Sequence, residues 1–142
     1  MSETHWTEAY LDFAYVKGGD TVAGFNCWGF FRHVERRQFG IDVPAFSEPA
    51  GLSKLVRKIR NGAVALSWEQ VTVPRAGDAV LMAHWKYPSH VGIWVDDIGD
   101  GRVLHCVEGA GPACHSRAHL RIAKWKIVAF YRPVDLDRAR GG

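Results

Sequence analysis

Three cysteines in 142 residues are too few, and odd in number, for a disulfide framework, so at least one thiol is left free. No stretch reaches the roughly 18 apolar residues that a helical membrane span needs, which argues against membrane insertion by a helix. The opening Met1 to Glu8 carries acids and lacks the apolar segment of a signal peptide. The expectation is a protein made in the cytoplasm and carried outward, if at all, by something other than a cleaved signal. Strong charge is missing too: 18 Lys and Arg against 15 Asp and Glu leave +3, well short of a nucleic-acid footprint. Neither a CxxC nor an HExxH spacing is present, and there is no internal repeat.

What remains is a packed, globular composition, 47% hydrophobic and 23% charged, of a length that suits one domain. That domain is expected over residues 1–134, with "DLDRARGG" (135–142) as a solvated tail. Near the start, Trp6, Tyr10, Phe13 and Ala14 fall at helical spacing before "KGGD" interrupts them. From Cys27, apolar residues recur at Phe30, Phe31 and Val34 with Arg32, Glu35 and Arg36 between, and Gly40 follows as a stop. A third helix is predicted from Ser47, a good cap, with Leu52, Leu55, Val56 and Ile59 on one face until Asn61 and Gly62.

After Trp68 the pattern turns to short β-type runs: "QVTV", "DAVLMA", "HVGIWV", "RVLHCV" and "KIVAFY", separated by turn signals such as "PRAGD", "DDIGDG" and "EGAGP". Helices first and strands afterwards, with connections too short for crossover helices, predict an α+β domain. Its N-terminal helices should pack on a mostly antiparallel sheet of about five strands.

Cys27 falls in the first turn of its helix, where unpaired N–H groups and the dipole favour thiolate and can serve as an oxyanion hole. A cysteine in that position also reads as a small buried apolar residue. His90 opens an apolar strand after a Pro-containing turn, and His105 lies in the next strand, on the face opposite Leu104 and Cys106. If the two strands are neighbours, the histidines can be adjacent. Nucleophile, base and orienting group would then follow in chain order as Cys27, His90 and His105.

The blocks "AYVKGGD", "GFNCWGFFRHV", "RAGDAVLM", "SHVGIWV" and "GRVLHCVEG" resemble, in order, those of the NlpC-type family of papain-like cell-wall cysteine peptidases. The resemblance runs from about Tyr10 to Arg132. It implies a papain-like core, Cys27 as nucleophile, His90 as general base, His105 as the residue holding the imidazole, and Tyr15 near the oxyanion and substrate groove. It also implies a peptidoglycan peptide substrate, typically cut between γ-D-glutamate and a diamino acid such as diaminopimelate, with no metal or cofactor. The family commonly has Asp and Ser flanking the cysteine, lining the groove, where this chain has Asn26 and Trp28. "CWG" resembles the branch found in phage tails and gene-transfer agents, which implies other tail proteins as partners and incorporation in a tail-like particle.

Other readings of the same residues are a zinc site from His105, Cys106, Cys114, His115 and His119, a tail structural protein keeping the fold without turnover, and an amidase or acyltransferase. His84, His115 and His119 read as loop or surface histidines, and Trp85, Trp94 and Trp125 as core or groove wall.

Overall fold

The structure, a computed structural model, describes residues 4–43, 68–85 and 89–133. A 3-10 helix at Trp6–Tyr10 leads into a two-stranded ribbon, β1 (Asp20–Thr21) and β2 (Gly24–Phe25), and then into helix α1 (Cys27–Phe39). The strands β3 (Trp68–Val71), β4 (Ala79–Ala83), β5 (His90–Val95), β6 (Arg102–Val107) and β7 (Gly111–Ser116) follow. A short helix α2 (Arg117–Ile122) precedes the last strand, β8 (Lys126–Pro133). The larger sheet is antiparallel, in the order β3-β8-β4-β5-β6-β7. This is the α+β architecture expected, with six strands in place of about five.

Helix α1 forms where its spacing predicts. Asn26 caps it by accepting the Gly29 N–H at 2.7 Å, and Gly40 closes it. Its Phe30, Phe31 and Val34 are completely buried. They meet Val91, Ile93 and Val95 of β5 and Leu104 and Cys106 of β6 in the main core. The alternate residues, Val80, Met82, Trp94 and Val103, face the other way and form a second, smaller cluster with Leu120 of α2. Burial on both faces explains why "AVLMA" and "HVGIWV" are continuously apolar rather than alternating.

The "PRAGD" turn is tied to the sheet's other end. Buried Asp78 accepts the Arg75 N–H at 2.7 Å and two guanidinium N–H bonds from Arg132, at 2.9 and 2.7 Å. Such a bidentate pair fixes how β4 starts against the end of β8.

Two sequence expectations are corrected. The first helix shrinks to a 3-10 turn, because the chain beyond it runs extended, with Tyr15 bridging Phe25. There Phe13 packs edge-on against Phe25 and His33, a tertiary contact that overrides the local helical spacing. In addition, "GPACHS", whose flanking "EGAGP" reads as turn, forms edge strand β7 and leads directly into α2. The helix predicted from Ser47 and the tail at 135–142 lie outside the described residues.

Candidate active site

Cys27 is the first residue of α1, half-buried, beside the N-terminal end of β5. The backbone N–H groups of Val91, Trp28 and Cys27 itself draw its pKa down, but burial acts more strongly and pushes the thiol above its ordinary range. The helix terminus alone therefore does not make it a resting thiolate, which corrects the sequence expectation. The physical reason is that desolvation of a charged sulfur outweighs the three amide hydrogen bonds that favour it. Ionisation has to be coupled to a proton acceptor.

The candidate acceptor, His90, stands on the sheet. Met82 pairs with His90 and Val80 with Gly92, so His90 projects on the Val80 and Met82 face. His105 projects on the same face of β6, and the two rings hydrogen-bond, His90 Nε2 to His105 Nδ1, at 2.8 Å. Gly92 makes this contact possible: a Cβ there would collide with Val103 Cγ1 and stand 3.2 Å from His105 Cβ. Cys106 points the other way, its thiol reaching the Phe25 carbonyl at 3.5 Å, as alternation requires.

Both histidines are buried, and burial lowers their pKa values, that of His90 to about 3, with His84 adding to the effect. For His105, burial is joined by its histidine neighbours, His90 and His115. The resting pair is thus neutral, and His90 Nε2 is committed to His105. The Cys27 sulfur lies by the Val91 backbone N–H, one residue beyond His90; among the described residues no hydrogen bond joins it to His90. Apo catalytic contacts are commonly loose and tighten with substrate.

Several other residues complete the surroundings. The Trp125 indole stacks on His90, with centroids 4.5 Å apart, and His84 stacks on Trp125 at 3.4 Å. Lys124, with φ of 64°, is the one non-glycine residue with positive φ among the described residues, and its carbonyl accepts from His84 Nδ1 at 2.9 Å. This turn carries Trp125 over the histidines. Burial raises the pKa of half-buried Tyr15, and the nearby acidic groups Cys27 and Glu108 act in the same direction, which keeps the phenol a proton donor.

Of the two flanking residues, Trp28 is placed differently from the groove position expected for it, while Asn26 stays half-buried at the helix cap. The Asn26 side-chain oxygen is taken up by the Gly29 N–H. Trp28 is 6% exposed and stacks on Phe31 in the core, because position 28 of α1 turns inward against the sheet. The zinc set is divided between the faces: His105 and His115 lie on one, Cys106 and Cys114 against the main core on the other. Among the described residues no group of three or more His, Cys, Asp or Glu side chains could hold a metal ion.

His115, read from sequence as a loop or surface residue, is instead hydrogen-bonded to His105. The signal that could have found it is its spacing ten residues after His105, across a Gly-containing turn that pairs β6 with β7.

Comparison with known proteins agrees with this architecture. The NlpC/P60 family matches residues 12–127. The murein DD-endopeptidase MepS/murein LD-carboxypeptidase of Escherichia coli K12 is 29% identical over 108 residues, 73% of this chain and 49% of that protein. The same protein of Escherichia coli O157:H7 matches to the same extent. The chain thus spans about half the length of the curated relatives it matches. Among solved structures, the NlpC/p60 domain of peptidoglycan hydrolase SagA superposes with a TM-score of 0.54 at 24% identity, covering 88% of this chain and 90% of that one, a likeness of fold. The chain belongs to the NlpC/P60 family.

Proposed function

We propose that this NlpC/P60 chain is a cysteine peptidase that hydrolyses an amide bond in peptidoglycan stem peptides. The observation that carries the reading is a thiol at the amide-bearing start of α1, set against β5, whose first residue His90 is hydrogen-bonded to His105. Because the resting thiol and imidazole are both neutral, attack begins with transfer of the Cys27 proton to His90 Nδ1. The sulfur then bonds to the carbonyl carbon, and the oxyanion develops beside the N–H groups at the start of the helix. His90 returns the proton to the leaving amine, and water, deprotonated by His90, releases the acyl group from the thioester. His105 holds the imidazole throughout.

The bond we assign is that between γ-D-glutamate and diaminopimelate, on the block resemblance described above. The name of the E. coli relative supports murein as substrate and makes DD-cross-linked and LD-linked peptides the proper comparison. With Trp28 packed inside the protein and the Asn26 oxygen held at the helix cap, Tyr15 is the predicted groove residue that interacts electrostatically with the thiol. The "CWG" motif supports a place in a phage-tail or tail-like particle that opens the wall locally. Tail-tube or tape-measure genes beside this one are the expected neighbours.

Purified protein should cleave L-alanyl-γ-D-glutamyl-diaminopimelate faster than DD- or LD-linked peptides, followed by mass spectrometry. Cys27→Ala should abolish cleavage, as loss of a nucleophile costs about six orders of magnitude in a comparable serine enzyme. Folded wild-type protein that cuts none of the three would defeat the reading and favour a structural role in a tail.

A further inference from the structure

Three imidazoles stand on one diagonal of the sheet, one each from β5, β6 and β7. His90 Nε2 meets His105 Nδ1 at 2.8 Å, and His105 Nε2 meets His115 Nδ1 at 3.0 Å. The register explains the line. Ala113 lies directly opposite His105 on β7 and Gly92 lies against it on β5, so small residues flank the middle ring and it reaches the diagonal partners instead. The chain starts in the buried interior and ends at half-buried His115, next to solvent.

A neutral imidazole donates from one nitrogen and accepts at the other, so a buried neutral His105 can bond both neighbours in only two ways. In the outward sense His90 Nε2–H donates to His105 Nδ1, and His105 Nε2–H donates to His115 Nδ1. His90 Nδ1 then carries a lone pair. In the inward sense His115 Nδ1–H donates to His105 Nε2, and His105 Nδ1–H donates to His90 Nε2. His90 then carries its proton on Nδ1, and the nitrogen needed to accept the Cys27 proton is blocked.

We propose that His115 is a positioning residue that sets the direction of this chain, and that its protonation reverses the chain and switches His90 off as a base. The proposal rests on the peptidase reading for its consequence and on the hydrogen-bond geometry for its substance. A neutral His115 accepts at Nδ1 and gives its Nε2–H to solvent, holding the outward sense. Reversal adds one proton from solvent at His90 Nδ1: the His90 Nε2 proton passes to His105 Nδ1, the His105 Nε2 proton passes to His115 Nδ1, and the charge comes to rest on His115, whose Nδ1–H now donates to His105 Nε2. The chain then holds one proton more, and His90 ends with hydrogen on Nδ1. The charged and titratable groups facing His115 are Arg102 and His105 from β6 and His119 from α2. Burial, His119 and Arg102 together hold His115 below its ordinary range, so the switch lies on the acid side of about 6.5.

The direct test is nitrogen NMR of side-chain-labelled histidines in the whole protein, which distinguishes the tautomers without needing turnover. His90 and His105 should both be Nε2–H at neutral pH and change together to Nδ1–H as His115 titrates. A His90 that is Nδ1–H at neutral pH, or that does not change with His115, overturns the proposal. If the tautomers behave as stated but no stem peptide is cut, the peptidase reading fails and this one stands.

Kinetics supply the second arm. Forcing the wrong histidine tautomer costs about 10⁴-fold in a Ser-His-Asp triad. His115→Phe removes the bias without imposing the wrong sense, so kcat should fall by about tenfold with KM little changed. His115→Asn keeps an acceptor oxygen but cannot titrate, so it should recover part of that loss and move the acid limb of kcat to lower pH. A purely structural His115 would lower stability in both variants and leave the acid limb where it is.

Discussion

The two faces of the central sheet hold their parts of the site by different forces. On the α1 face, Cys27 is fixed by an apolar mass in which Phe25, Phe30, Phe31, Val91, Ile93 and Leu104 are almost wholly buried. On the other face, His90, His105 and His115 are fixed by two hydrogen bonds and by the flat cover of Trp125. Packing is insensitive to pH and tolerates small changes in direction. Hydrogen bonds between titratable rings are directional and depend on every proton. The proposed nucleophile is thus built on the robust face and the proposed base on the conditional one.

Acid should divide the faces most strongly. His90 is held near pH 3 in the folded chain, against about 6.5 unfolded, and His105 is displaced in the same direction. Between those values the unfolded chain binds more protons, so stability is complete above about pH 6.5 and declines as pH falls toward 3. The loss should amount to several kcal/mol, read as a falling urea midpoint across that window. His105→Asn should flatten the slope; an unchanged slope would break the division drawn here.

Next in size is Phe31→Ala, which empties a fully buried site on the helix face. It should cost about 3–5 kcal/mol at every pH, leaving the acid slope unaltered. A changed slope would show that the two faces are not independent. The smallest effect belongs to the junction between them. Asn26→Ala removes the cap at Gly29 and should cost about 1 kcal/mol, while Asn26→Asp should keep most of it. In both, iodoacetamide labelling of Cys27 should still be rising above pH 9, since burial sets that pKa from above. A plateau near pH 6 would contradict it.

What could be read from sequence follows the same division. Cys27, α1 and strands β5 and β6 were legible because their periodicity is long and agrees with their packing. The His90 and His105 contact followed from alternation alone. β7 was not legible, since Pro112 and its Gly-rich approach read as turn, and with it went His115. Trp28 was misread because an indole next to a nucleophile suggests a groove, whereas the phase of α1 sends it inward to Phe31. Nor could sequence show that Trp125 covers the histidines, a position that depends on the left-handed backbone at Lys124.

That cover gives the molecule an optical property. The Trp125 indole lies between two imidazoles, His84 on one side and His90 on the other. An imidazole that gains a proton against an indole face becomes an electron acceptor and quenches its emission. Among six tryptophans, the one stacked on His90 therefore acts as a built-in lamp, dimming as that ring takes up charge.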